Sequence, residues 1–512
     1  MSNYFADIHC HSTLKYAFDD DPDLWDSKGI PNSTSHITGI YTFSQCDFRR
    51  MAKGNVQVAV LPIIPIEQKQ TVLADLLDKV EKVEDFLEGF AAWMTKIPKK
   101  KFDFLQSVDY DHYQQMMYEV QLILNKQTSG RKVKLGNKDR RNCSYKVVAN
   151  GAEIDAVLAK NKADDSQYTI AVVLSVEGGH SLGCGHVNFD GKKNKYNVDE
   201  ATLLARVDGM KGLASKEATW KISPLWITLA HAFGNDHFGN AQALVKMFRK
   251  PFKHSEEYGE VSVDGMLNKG INATGKKIIE RLLNLDQVKG KRILIDIKHL
   301  STQSRRDYYD IIDAHNKANP TDLIPVIMSH AAVNGSADLS RENYNPNDSE
   351  DLYDKSDTFN PWSINLFNDE VIKIHETKGM MGLIFDQRVL SSKAKIKTAK
   401  KAKGKKDEND DAWCQLIADQ IEHVVKLVFA HPDTKNKAQI WDCISIGSDL
   451  DGQINPIDAF YTSKDFEDFE CALARHLNTD RFKAYRGTAT GEQLARKICA
   501  ENALDFIKQH YK

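Results

Sequence analysis

The chain has 512 residues and a formal net charge of −2, with 41% hydrophobic and 27% charged residues. That near-neutral balance excludes wholesale electrostatic attraction to nucleic acid or to a membrane surface, and no apolar run approaches the roughly 20 residues needed to span a bilayer. The length suits two or three ordinary domains, or one barrel with insertions. No basic-then-apolar leader is read at the start, so a cytoplasmic location is expected.

Residues 4–8 form a short apolar segment that runs into Asp7-Ile8-His9-Cys10-His11. On extended backbone, His9 and His11 project to one side and Cys10 to the other, into packing. Two imidazoles on one side at a strand end make half of a divalent-metal site. Such a pair also arises by accident, and the metal reading gains force only from what recurs later in the chain.

Residues 56–64 are a near-continuous apolar run, as expected of a strand covered on both faces. Residues 68–126 look helical, with an amphipathic stretch over 71–90 and a break near 97–101, and 128–142 is basic and contains glycine. Further strand-like runs occur at 168–176, 223–229, 292–297, 324–328, 380–385 and 444–447, interleaved with helical patterns at 275–285, 304–315, 369–376 and 411–429. Eight strand segments alternating with helices predict a (β/α)8 TIM barrel. The whole chain, 1–512, is read as one barrel domain interrupted by helical and loop insertions at about 68–142, 183–221 and 391–411. The polar stretch 341–360 has the composition of an active-site loop. The run from Lys393 to Lys406, followed by the acidic cluster 407–411, is read as a solvated flexible loop rather than a surface for an anionic partner. The eight cysteines are dispersed without a CxxC pair and read as reduced thiols.

In such barrels the active site forms at the C-terminal ends of the strands, and six of the eight segments finish there with a His, Glu or Asp. They supply His9 and His11, Glu177, His231, His299, His330 and Asp449. One buried-strand histidine is usually a satisfied core residue, but six strand ends in register are hard to explain as packing. His180, Asp7 and Asp451 are expected to support the site through hydrogen bonds. His186 and His237 lie in loop-like stretches that could approach a substrate. Gly178-Gly179 signals a tight turn or a close backbone approach.

The pattern resembles the membrane dipeptidase family (renal-dipeptidase-like, peptidase family M19) of the amidohydrolase superfamily. Val176-Glu177-Gly178-Gly179-His180-Ser181-Leu182 is similar to that family's glutamate motif, and Ile227-Thr228-Leu229-Ala230-His231 to its Leu-Thr-His strand. Leu294-Ile295-Asp296-Ile297-Lys298-His299-Leu300-Ser301 resembles its Ile-Asp-Leu-Ser-His segment, Pro325-Val326-Ile327-Met328-Ser329-His330 its Pro-Val-Ile-x-Ser-His segment, and Ile446-Gly447-Ser448-Asp449-Leu450-Asp451-Gly452 its Gly-Gly-Asp-Phe-Asp-Gly turn. The matches run from residue 5 to about 508, broken by insertions.

The resemblance implies a binuclear zinc site, with His9, His11, Glu177 and Asp449 on one ion, Glu177, His299 and His330 on the other, and Glu177 bridging both. It implies a dipeptidase whose nucleophile is a hydroxide shared by the ions, with Asp449 carrying the proton, His231 stabilising the oxyanion and Arg341 clamping the substrate's carboxylate. A homodimer is implied as well. An N-acyl amino acid, lactam or lactone is the alternative substrate class, and a metal-binding scaffold without catalysis is the alternative from outside enzymes. The chain departs from the family at the first motif, where His9-x-His11 replaces the usual His-x-Asp. Trading a carboxylate for a neutral imidazole adds one positive charge to the site, which should depress the pKa of a bound water.

Overall fold

The computed structural model describes residues 4–17, 22–26, 44–68, 99–107, 109–127, 130–134, 140–164, 166–184, 198–233, 235–241, 267–336, 339, 356–402 and 404–512. Ten strands lie among them: β1 (Phe5–Asp7), β2 (Val56–Ile63), β3 (Arg131–Lys134), β4 (Arg140–Val147), β5 (Gln167–Glu177), β6 (Trp226–Thr228), β7 (Leu294–Asp296), β8 (Ile327–Ala331), β9 (Met380–Leu383) and β10 (Ile444–Ile446). Eight of these run parallel in the order β1-β2-β5-β6-β7-β8-β9-β10. The ends of the sheet meet just beyond β1 and β10. There the Ile8 N–H donates to the Ile446 carbonyl at 2.9 Å, Asp449 N–H to His9 at 2.9 Å, and His11 N–H to Leu450 at 2.8 Å. The sheet is thus a (β/α)8 barrel, with helices such as Glu200–Met210, Ala273–Leu282, Thr302–Ala318, Asn368–Glu376 and Lys406–Ala430 between successive strands.

The strands are buried on both faces because the outer helices cover them. This is why they read as continuous apolar runs and not as alternating ones. Each of the eight expected segments overlaps one barrel strand. Several strands are shorter than their apolar run, the ladder pairing covering only part of it.

Two expectations need correction. The basic stretch 128–142 enters a hairpin, in which β3 pairs antiparallel with β4, and β4 extends the sheet along the first half of β5. Arg131, Lys132 and Lys134 are exposed on the edge strand β3, where lysine and arginine discourage pairing with other chains, so their composition masked the strand. The lysine-rich run is also no loop. It forms the helix Lys393–Lys401, capped by the Ser392 side chain, and then enters Lys406–Ala430. Lysine and alanine are strong helix formers, and the charge density is relieved where Lys395 meets Asp419 at 2.9 Å and Lys406 meets Asp468 at 2.5 Å. The helix expected at 71–90 lies outside the described residues.

One irregularity positions the functional rim. Met328 pairs with Met381 and Ala331 with Leu383, so Ser329 and His330 together oppose Gly382. A bulge of this kind re-aims side chains. It lets two consecutive residues serve one side, which a regular strand forbids. The displaced Ser329 carbonyl needs space, and it finds it against two glycines: a Cβ on Gly382 or on Gly447 would lie 1.8 Å from that oxygen. Gly382→Ala should therefore cost about 1–3 kcal/mol of stability through overpacking. The check is the midpoint of thermal or urea unfolding, and an unchanged midpoint would contradict this account of the bulge.

Candidate metal centre

The six donor residues converge at the C-terminal rim. His9 and His11 follow β1, with Cys10 between them turned away and fully buried in the apolar core. Glu177 ends β5, His299 follows β7, His330 lies in β8, and Asp449 follows β10. His299 and Asp449 adopt left-handed backbone, with φ of 65° and 60°. That conformation is uncommon for non-glycine residues and marks where the chain turns sharply past each strand end.

The donor atoms divide into two sets about one carboxylate. Glu177 Oε2 lies 3.5 Å from His9 Nε2 and 3.3 Å from His11 Nε2, and those two nitrogens are 3.1 Å apart. Asp449 Oδ1 completes that set at 3.1 Å from His11 Nε2 and 3.8 Å from His9 Nε2. Glu177 Oε1 faces the other way, 3.3 Å from His299 Nε2 and 3.8 Å from His330 Nε2, which are 3.3 Å apart. Donors around a tetrahedral ion with bonds of roughly 2.1 Å stand about 3.4 Å from one another, so the His9–His11–Glu177 and Glu177–His299–His330 groups have the spacing of ligand shells, while Asp449 falls into a third group with His9 and His330. Glu177 Oε2 is buried without a hydrogen-bond donor, as suits an oxygen that faces a cation. These residues fit divalent metal ions, and the described residues hold three overlapping groups that could take one.

The electrostatics agree with this reading. Burial alone would raise the Glu177 pKa, but the imidazoles of His9, His299 and His11 hold its carboxyl well below the usual range. Burial pushes His299 down to about 3 and His330 well below its ordinary value. Both are therefore neutral near pH 7, the form that offers a lone pair to a metal.

A second set of groups fixes which ring nitrogen is free. Ser329 Oγ donates to Asp296 Oδ2 at 2.5 Å and lies 2.9 Å from both His9 Nδ1 and His330 Nδ1. With its own proton given to Asp296, the hydroxyl accepts from both Nδ1–H groups and leaves both Nε2 atoms as donors to a metal. Asp296 is anchored in turn by Thr228 Oγ1 at 3.0 Å and by the backbone N–H groups of Lys298 and Ser329.

Asp7 behaves as expected of a supporting residue. It accepts from the Ser448 N–H and hydroxyl and from the His9 N–H, and burial lifts it to about 6. Asp451 ties down the 44–46 segment through Ser44, Gln45 and Cys46. His180 bonds the Pro65 carbonyl at 2.8 Å. Gly178 takes a φ of 93°, and a Cβ on Gly179 would stand 2.5 Å from the Leu229 carbonyl, which accounts for the glycine pair.

His231 lies beside the donor sets and not within them. Its ring centroid is 4.7 Å from that of His299, and its Nδ1 is 2.8 Å from Glu67 Oε2. Burial would lower its pKa, but Glu67, helped by Glu177 and Asp449, raises it to about 9. His237 sits farther out, against Asn272. Arg341 and His186 lie outside the described residues.

Glu67, Asp296 and Ser329 are the functional candidates that sequence reasoning missed. Asp296 closes β7 and Ser329 lies inside β8, each a polar residue in an apolar run, a signal available in the sequence. Glu67 stands four residues beyond β2 in a run that reads as the start of an insertion. Lys298 is a further surprise: its ammonium is buried, without a hydrogen-bond partner among the described residues, and burial lowers it to about 8.

No sequence model of a known family matches the chain, and no curated protein matches it in sequence. Solved structures do share its fold. A metallopeptidase from Rhodobacter sphaeroides, liganded with a phosphinate mimic of the dipeptide L-Ala-D-Ala, gives a TM-score of 0.51 at 13% identity over 100% of both chains. The dipeptidase AC, a metallopeptidase of family M19, gives 0.50 at 13% identity, covering 99% of this chain and 98% of that one.

Because one hydroxyl orients two rings, Ser329→Ala should weaken metal binding by about 10–100-fold. Competition against a chelator of known affinity measures this, and wild-type affinity in the variant would remove Ser329 from that role.

Proposed function

We propose that the chain is a binuclear metal-dependent hydrolase that cleaves an amide bond, with a dipeptide as substrate and zinc as the metal. The observation that carries this reading is the single Glu177 carboxylate shared by two sets of donors, with an acid and an imidazole at its margin. Mixed imidazole and carboxylate donors suit Zn2+. His9, His11, Glu177 and Asp449 would hold one ion, and Glu177, His299 and His330 the other. When bound, the pair would supply an activated water and Lewis-acid stabilisation.

The remaining steps fall to this chain's own side chains. Asp449 turns one oxygen toward His11 and His9, which leaves the other to take the proton of the attacking water and return it to the leaving amine. His231 presents its Nε2 to the carbonyl oxygen as negative charge develops there. Arg341, eleven residues beyond His330 in sequence, pairs with a free substrate carboxylate in a charge-assisted contact. The fold relative liganded with a mimic of L-Ala-D-Ala supports including L,D-dipeptides among the substrates tested.

Metal analysis of the purified protein should find two zinc ions per chain, and a panel of L,L- and L,D-dipeptides with N-acyl amino acids should show turnover of dipeptides. Turnover confined to the N-acyl compounds would move the substrate class, and two ions with no turnover of any compound would favour a scaffold. Asp449→Asn should lower kcat by about 10²–10⁴-fold, and a wild-type rate would exclude it as proton carrier. Arg341→Ala should raise KM for dipeptides far more than for their C-terminally amidated analogues; equal effects would end the proposed carboxylate contact.

A further inference from the structure

Glu67 is fully buried, yet it belongs to neither donor set. Its Oε2 is 2.8 Å from His231 Nδ1, and its Oε1 accepts from the Phe233 backbone N–H at 3.3 Å. One carboxylate therefore grips both the imidazole and the loop that carries it. The segment bearing Glu67 is itself pinned, because His180 donates through Nε2 to the Pro65 carbonyl at 2.8 Å while its Nδ1 stands 3.9 Å from Glu67 Oε1. Glu67 reaches His231 across the end of β5, since the barrel order places β5 between β2 and β6.

The other side of His231 faces the metal centre. Its ring packs edge-on against His299 at 4.7 Å, and its side chain, 15% exposed, opens more to solvent than the donor residues around it. With Nδ1–H committed to Glu67, the ring cannot flip to present Nδ1, and Nε2 is the nitrogen aimed at a substrate.

We infer that Glu67 is a positioning residue: it orients His231 so that Nε2 meets the scissile carbonyl oxygen. This rests on the proposed role of His231 at that oxygen. A carboxylate behind an imidazole fixes ring orientation and the site of the proton, as in other acid–histidine pairs. Burial supports the assignment, since a carboxylate buried without metal contact is costly unless it is paired.

The test combines kinetics of the zinc-loaded protein on its best dipeptide with proton NMR of the metal-free full chain. Glu67→Ala should lower kcat by about 10–100-fold with KM and zinc content little changed, whereas Glu67→Gln, which keeps a carbonyl acceptor at the same place, should retain more of the rate. The double variant with His231→Ala should be no slower than His231→Ala alone. Independently of activity, the wild type should show a downfield, slowly exchanging imidazole N–H signal that is absent in both Glu67→Ala and His231→Ala. Additive rate losses, or survival of that signal in Glu67→Ala, would overturn the inference. A wild-type rate in His231→Ala would instead overturn the role of His231, while the N–H signal would still report whether Glu67 holds the ring. If Glu67→Ala does not fold, the same measurements on Glu67→Gln decide through its partial loss: wild-type kinetics together with an unaltered signal would count against the inference.

Discussion

An acid with 1% side-chain exposure, Glu177, sets the terms for everything at the rim of this barrel. A carboxylate so far from water is expensive unless positive charge or hydrogen-bond donors surround it. Here four imidazole nitrogens lie within 3.8 Å of its two oxygens, two on each side. That division gives the site its two halves. It also explains why the surrounding structure is so heavily braced: a misplaced ring would leave the acid uncompensated.

The bracing works by fixing proton positions as much as by packing. Ser329 links His9, His330 and Asp296 through a single hydroxyl, and Asp7 joins the His9 backbone to the Ser448 turn before Asp449. The bulge in β8 is what brings Ser329 and His330 to the same side, and the absence of side chains at Gly382 and Gly447 is what makes the bulge possible. A backbone constraint in β9 and in the turn after β10 is thus felt at a donor atom in β8. Glu67 extends the same logic to His231, beside the donor sets.

Much of this was legible in the chain. The barrel strands showed as apolar runs because they are covered on both faces, and the donors stood out because each ends such a run with a polar residue. The supporting layer was harder to see. Ser329 and Asp296 show as polar residues in apolar runs, but nothing local says which partners they hold. Glu67 was hidden because it pairs with a residue 164 positions away and follows a segment with no motif of its own. The β3–β4 hairpin and the Lys393–Lys401 helix were obscured by charge: lysine-rich composition says that a surface is solvated, and is silent on whether its backbone is ordered.

The closure of the barrel has a consequence for how the protein comes into being. His9 and Asp449 are joined by a backbone hydrogen bond and belong to the same donor set, yet 440 residues separate them in the chain. At ribosomal speeds of about 5–20 residues per second, roughly 20 to 90 s separate the synthesis of His9 from that of Asp449, the last of the six donors. During that interval the β1 edge has no neighbour on one side, while Glu177, His299 and His330 are added in turn. The six donor residues can therefore gather only after residue 449 has been made, and the turn that closes the barrel is the one that brings them together.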